Sequence, residues 1–218
     1  MITQEDIRNT LSQVVSDDKA HAQWVNTLSL MENCGAKLIK AGEHPSDVDL
    51  IVLKHAAEEA RHAFYLKKQV RKLDQPGFDT YSDEAILFPR ISFRYLDRLN
   101  VKVCKYLKKH FDFTPDQMRF AAYLLVTYAI EVRADELYPI YQEVLREAGS
   151  SISVKMIIVE EEGHLREMLD QMEGFFDNPK PHQDAVEAFE KEMFEEWFGM
   201  LMEKNAVSPS LRALSYEG

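Results

Sequence analysis

The sequence predicts an all-α protein. Three observations lead there. Glycine and proline number only eight each in 218 residues and gather at a few points, as they do between helices. Between those points apolar residues recur at three- and four-residue spacing. No segment alternates apolar and polar residues over the length of a strand.

A leader helix is expected over residues 3–15, and a first long helix over 16–42, where Ala41-Gly42 stops it. Ser46, after Pro45, opens a second over 46–73, ended by Gln75-Pro76-Gly77. Residues 78–88 read as loop, and 89–110 as a helix whose apolar face begins only at Tyr95. Thr114-Pro115-Asp116-Gln117 is a helix start: a threonine cap, proline at the first position and glutamine to close a capping box. That helix runs to Ala148-Gly149, with Pro139 expected to kink or locally unwind it. Ser150 and Ser151 are expected to cap the next, which ends near Gly174. Beyond the break at Asp177-Asn178-Pro179-Lys180-Pro181, Val186, Phe189, Met193, Trp197 and Met200 mark an amphipathic helix over 183–204. The tail from Val207 is expected to be loosely held. The length suits one domain, residues 1–218.

Composition narrows the functions. With 45% hydrophobic residues, the chain can bury a substantial core. A net charge of −11 sets nucleic-acid backbones and anionic membrane surfaces aside as main partners, because both are repelled. Lys102, Lys105, Lys108 and Lys109 read as a solvated helix face. Cys34 and Cys104 form no CxxC pair, so neither a disulfide framework nor a cysteine-rich zinc or iron–sulfur module is expected. Residues 1–6 lack the features of a signal peptide, and no apolar stretch reaches transmembrane length. The expected location is cytoplasmic.

Two helices carry Glu-x-x-His: Glu59-Ala60-Arg61-His62 and Glu161-Glu162-Gly163-His164. Three residues along a helix place both side chains on one face, a turn apart, where carboxylate and imidazole can reach one ion. The first motif lies on the stripe Val52, His55, Ala56, Glu59, His62, Ala63, Leu66. The second lies on Val154, Ile157, Ile158, Glu161, His164, Leu165, Met168, each 102 residues later. Each carboxylate thus sits on an otherwise apolar face, where it costs several kcal/mol (roughly) unless paired or bound to metal.

Two divalent ions need more than two carboxylates. On the first long helix Glu32 lies on the stripe Trp24, Leu28, Met31, Gly35, Ile39, and is the only acidic residue between Asp18 and Glu43. The helix around Pro139 offers Glu131 or Glu136, which face about 140° apart. The stripe through Glu131 (Phe120, Leu124, Thr127, Ala134, Tyr138, Tyr141) is cleaner than that through Glu136, which also carries Arg133 and Glu143. Depth from the hairpin loop favours Glu136 instead. Glu131 is taken as the sixth ligand, with Glu136 the alternative.

Glu32, Glu59, His62, Glu131, Glu161 and His164 together resemble the ligand set of ferritin-like di-iron carboxylate proteins, in which two helices supply a Glu each and two supply Glu-x-x-His. The resemblance covers residues 16–172. It implies a ferritin-like four-helix bundle with a long crossover connection and additional N- and C-terminal helices. It further implies two iron ions, or manganese or a mixed pair on the same ligands. The separations from Glu32 to Glu59 and from Glu131 to Glu161 are similar to those of oxygenase-type members, such as aldehyde-deformylating oxygenases, and the transfer-RNA hydroxylase is another candidate relative. The function implied is oxidation or hydroxylation of a small organic substrate with dioxygen, served by an external electron donor, with a homodimer as the candidate assembly. A ferritin- or rubrerythrin-like handling of iron or peroxide is the alternative. A metal-free helical interaction protein, with the motifs as ion-pair networks, is the third.

His55 and Tyr138 share stripes with the ligands and read as core residues with bonded polar atoms. Arg61 and Arg133 are expected to pair with Glu162 or Asp135. Glu58, Glu160 and Glu162 are expected to point away from the metals, and Cys34 to be a small buried residue.

Overall fold

The computed structural model describes the backbone of residues 1–214 and the side chains of residues 1–205. Among them there is helix and no strand. The helices are α1 (Gln4–Val15), α2 (Asp18–Gly42), α3 (Leu50–Val70), α4 (Pro89–Ser92), α5 (Tyr95–His110), α6 (Pro115–Glu147), α7 (Lys155–Phe175) and α8 (Lys180–Leu214).

Side-chain caps fix four of the starts. Thr3 and Asp6 close a capping box on α1, and Thr114 with Gln117 closes one on α6, where Pro115 supplies no N–H to satisfy. Asp17 accepts from the Ala20 N–H to begin α2. α3 starts later than Ser46 because the intervening turn has other partners. His44 Nδ1 accepts the N–H groups of Ser46 and Asp47, and Asp49 then caps Ile51 and Val52.

Three other expectations need correction, and of the kink or unwinding expected at Pro139 the unwinding is absent. Residues 89–110 are two helices, not one: Phe93 and Arg94 separate α4 from α5, with Arg94 out of helical geometry. Trp197 on α8 donates to the Ser92 hydroxyl at 2.9 Å, fixing the short helix at its end. Helix α6 continues across Pro139. Ser150 and Ser151 do not cap α7. Its first residue follows Val154, whose N–H goes to Gln142 Oε1 on α6 at 2.8 Å. The last helix extends from Lys180 to Leu214 rather than 183–204; the expectation of a loose tail from Val207 concerns side chains outside the described residues.

α2 packs on α3 and α6 on α7, each pair joined by a short loop, while α1, α5 and α8 lie against α6. Trp24 of α2, Tyr141 of α6 and Trp197 and Phe198 of α8 meet in the core with at most 2% exposure. Each such aromatic removes enough apolar surface from water to contribute about 2–3 kcal/mol.

The crossover from α3 to α5 is tied back to α2. Asn26 Nδ2 donates to the carbonyls of Thr80 and Ala85 at 3.0 and 2.9 Å, and Thr27 accepts from the Leu87 N–H. Lys67 Nζ donates to the carbonyls of Phe78 and Thr80 and to the Asn26 side chain. These bonds anchor α5 beside α2 and α6, which places Leu96 near Gly35 and the carboxylates. No described helix is long and apolar enough to cross a membrane.

Candidate metal centre

Four helices converge on one group of side chains: α2 brings Glu32, α3 Glu59 and His62, α6 Glu131, and α7 Glu161 and His164. They form two overlapping sets. In the first, ligand atoms of Glu32, Glu59, His62 and Glu161 all lie within 4.8 Å of one another; in the second, those of Glu59, Glu131, Glu161 and His164 do. Glu59 and Glu161 belong to both. All six expected residues are therefore brought together. Glu136 is not among them; it lies toward solvent and pairs with Arg133.

The side chains are buried except Glu32, which is half-buried. Both imidazoles turn Nδ1 inward. His164 Nδ1 is 3.1 Å from Glu161 Oε2 and 3.6 Å from Glu131 Oε1, and His62 Nδ1 is 3.0 Å from Glu161 Oε1. The His62 contact lacks hydrogen-bond geometry, so this fully buried nitrogen has no partner.

The outward nitrogens give the flanking acids a role that the expectation did not include. His62 Nε2 meets Glu160 Oε2 at 2.7 Å, and His164 Nε2 meets Glu58 Oε2 at 2.8 Å. Glu58 and Glu160 do face away from the carboxylate cluster, yet each holds the histidine of the other motif. A carboxylate on one ring nitrogen fixes the tautomer and leaves the lone pair of the other facing the site. Only Glu162 is without such a role. The doublets Glu58-Glu59 and Glu160-Glu161 also repeat at 102 residues, a signal that could have marked the flanking acids.

The two arginines pair differently from expectation. Arg61 bonds Glu160 at 2.8 Å and also reaches Glu58, whereas Arg133 makes a two-pronged contact with Glu190. Arg61 does turn to α7 but meets Glu160 there rather than the exposed Glu162, and Arg133 turns to α8 rather than to Asp135. Glu190 is 2% exposed and also accepts from Tyr95 Oη at 2.7 Å. Tyr138 donates to Glu32 Oε1. His55 is held between Tyr123 Oη and Glu167, each at 2.8 Å. Cys34 is half-buried.

Protonation follows from this crowding. Burial pushes Glu59 and Glu131 well above the usual carboxylate range, and Glu32 and Glu161 beside them add to it. Glu161 goes the other way. Burial opposes its charge, but Glu131, His164 and His62 beside it hold it well below that range. His62 is raised to about 9 against its own burial by Glu161 and Glu32, and Glu161 raises His164 likewise. Protons thus stand where positive charge is wanted.

The donor set fits a pair of divalent cations. Four carboxylates would balance two such ions and each imidazole turns one nitrogen inward; His62 Nδ1, which holds a proton in the metal-free protein, would have to release it to bind. Beside Glu32 and Glu59 lies a cavity of about 90 Å³ walled by Leu28, Met31, Leu96, Ala134 and Leu137. Comparison with protein-family models, with curated proteins and with solved structures gave no match.

Proposed function

We propose that this chain is a di-iron carboxylate oxidoreductase of ferritin-like architecture that uses dioxygen to oxidise or hydroxylate an organic substrate. The observation that carries the reading is the sharing of Glu59 and Glu161 between two four-ligand sets. One ion needs no shared ligands; two adjacent ions do, and such pairs lie about 3.5–4 Å apart. In this reading α2–α3 and α6–α7 are the four bundle helices, residues 71–94 belong to the crossover, and α1 and α8 are additions.

Glu32, Glu59, Glu131 and Glu161 would hold the metal through their carboxylates, with Glu59 and Glu161 common to both ligand sets, and His62 and His164 through the inward Nδ1. Iron held by these residues would supply the electrons for reducing dioxygen, and an external donor would have to restore them. The protein's own part is positioning and exclusion of water. Glu58 and Glu160 hold the rings, Tyr138 orients Glu32, and the apolar wall keeps water from the side of the site where an organic group would sit. That wall favours oxidation of an organic molecule over iron storage, which needs a polar path for ions.

Metal analysis after anaerobic ferrous loading tests the reading. About two ions per chain are expected, with oxo-bridged ferric absorption on admitting oxygen. Metal content near zero would overturn it, and a colourless loaded protein would assign the site to another metal.

A further inference from the structure

Residues 89–110, which form α4 and α5, carry seven of the chain's 26 lysines and arginines and a single acid, Asp97. That leaves 19 of the 26 basic and 36 of the 37 acidic residues to the rest of the chain. One segment is therefore positive on a strongly negative molecule, and such a separation gives the field a direction. Pairing within the chain does not remove it. Arg98 and Lys102 meet Glu196 and Glu192 of α8 at 2.7 and 2.6 Å. Among the described residues, Arg90, Arg94, Lys105, Lys108 and Lys109 make no ion pair. Lys108 and Lys109 favour the end of α5 through its dipole, but Arg90, Arg94 and Lys105 have no such account.

The exposed side of α5 is one stripe. Asp97, Arg98, Val101, Lys105, Lys108 and Lys109 are all exposed and fall within about 60° of one line along the helix. Val101 is 51% exposed at its middle, and Phe93 is 41% exposed just before its start. Between the stripe and Met193 of α8 lies an open hollow of about 360 Å³. Apolar side chains ringed by charge are the anatomy of a protein interface. The opposite side of the same helix faces the candidate metal centre: Leu96 is buried beside Gly35 and lines the cavity against Glu32 and Glu59. The stripe and the centre are thus separated by the thickness of one helix, about 10–12 Å. The α3–α7 face is also near the centre, but Lys54 and Arg61 there are already paired with Glu167 and Glu160, so it exerts no comparable pull.

We propose that the α4–α5 face is the docking surface for an acidic one-electron carrier protein. The proposal deepens the oxidoreductase reading and rests on it for what the electron meets; the charge separation stands without metal. A nucleic acid or an anionic membrane would also lie against the acidic remainder of the molecule and be repelled there. A small carrier need touch only the stripe, as weak redox encounters burying less than about 1,200 Å² do. The same remainder repels the carrier from other approaches, so it arrives facing α5. Each docking delivers one electron: the carrier is oxidised and iron held by the six residues is reduced, so two dockings restore two electrons.

A plant-type [2Fe–2S] ferredoxin, an acidic carrier of low potential, titrated calorimetrically into metal-free full-length protein, tests the face. Affinity should fall at least about tenfold between about 10 mM and 200 mM salt as the screening length shortens. No binding at the lower salt, or binding indifferent to salt, would overturn the proposal. Lys105→Glu with Lys108→Glu should weaken binding at least about tenfold. Lys68→Glu with Arg166→Glu, the same change of charge on the α3–α7 face, should cost less than about threefold; equal losses would overturn the proposal. If a variant does not fold, carbodiimide cross-linking of the wild-type complex decides. Cross-links should fall on Lys105, Lys108 and Lys109, and a majority at Lys54, Lys68 or Lys155 would overturn the proposal. Tighter binding of polyuridylate or of phosphatidylglycerol vesicles at about 0.1 M salt would overturn it in favour of a polyanion site. On iron-loaded, oxidised protein, reduction by photoreduced ferredoxin should slow in the α5 variant by the factor that binding loses, and an unchanged rate would overturn electron delivery through this face. Protein that takes up no metal yet binds ferredoxin at α5 would remove the metal reading and its electron step and leave the docking face standing.

Discussion

Replacing Glu131 by glutamine should make the metal-free protein more stable and its response to metal much weaker. Burial pushes the Glu131 carboxyl far enough up that it keeps its proton, and through that proton it bonds Glu161. A glutamine amide offers the same donor with nearly the same volume and takes no proton from solution. Relief at such a site is worth about 1–2 kcal/mol. At about 2–4 °C per kcal/mol for a domain of this size, the metal-free midpoint should rise by about 2–8 °C. Metal at a hundred times its dissociation constant stabilises the wild type by about 2.7 kcal/mol, and a site a hundredfold weaker gains only about 0.4 kcal/mol at the same concentration. Thermal unfolding by circular dichroism, on chelator-treated protein with and without manganese, reads both effects. The sign with pH follows as well. A raised folded pKa means the native state holds a proton that the unfolded chain has released above its ordinary value near 4.5. Metal-free wild type should therefore lose stability as pH rises through that window, and Glu131→Gln should lose less. A variant less stable than wild type, with an undiminished manganese shift, would refute the reasoning and make Glu131 a structural partner.

Three further outcomes follow from the surroundings of the site. Glu58→Gln and Glu160→Gln should each weaken metal about 10–100-fold, measured by competition with a chelator, while the six ligands stay in place; undiminished affinity would deny these acids a role in holding the rings. Glu136→Ala should leave metal content unchanged and shift stability by about 1 kcal/mol or less, because Arg133 keeps Glu190; loss of metal would return Glu136 to the ligand set. Glu190→Ala leaves the Arg133 guanidinium, which is 17% exposed, with Glu136 alone and Tyr95 Oη without its acceptor, and should lower stability by about 1–3 kcal/mol in denaturant unfolding, against little change if α8 is held by packing alone.

Much of this was legible before any coordinates. The helices announce themselves through capping boxes at Thr3 and Thr114 and through the glycine and proline breaks. Four of the six converging side chains lie on one stripe written twice, and Glu32 and Glu131 stand on the apolar stripes of the two preceding helices. What was not legible lies between elements. The true starts of α3 and α7 depend on His44, Asp49 and Gln142, whose bonds are set by how loops and neighbouring helices meet. Glu58 and Glu160 could be placed away from the carboxylates by helix angle alone, but the angle does not say that the other motif's histidine stands there. Arg133 turns from its own helix to Glu190 because α8 docks against α6, a contact with no local signature.

The exchange of partners between the motifs has a consequence for how the centre comes into being. His62 on the first hairpin is held by Glu160 on the second, and His164 on the second by Glu58 on the first. Neither hairpin owns a finished half. Each supplies the clamp for the other's ring, so an isolated hairpin would present a histidine free to choose either tautomer and a glutamate with nothing to grip. A chain severed within the crossover would yield two fragments that are individually incompetent and mutually complementing, like the two parts of a clasp. Duplication of such a hairpin brings a finished site only when both copies close on one another.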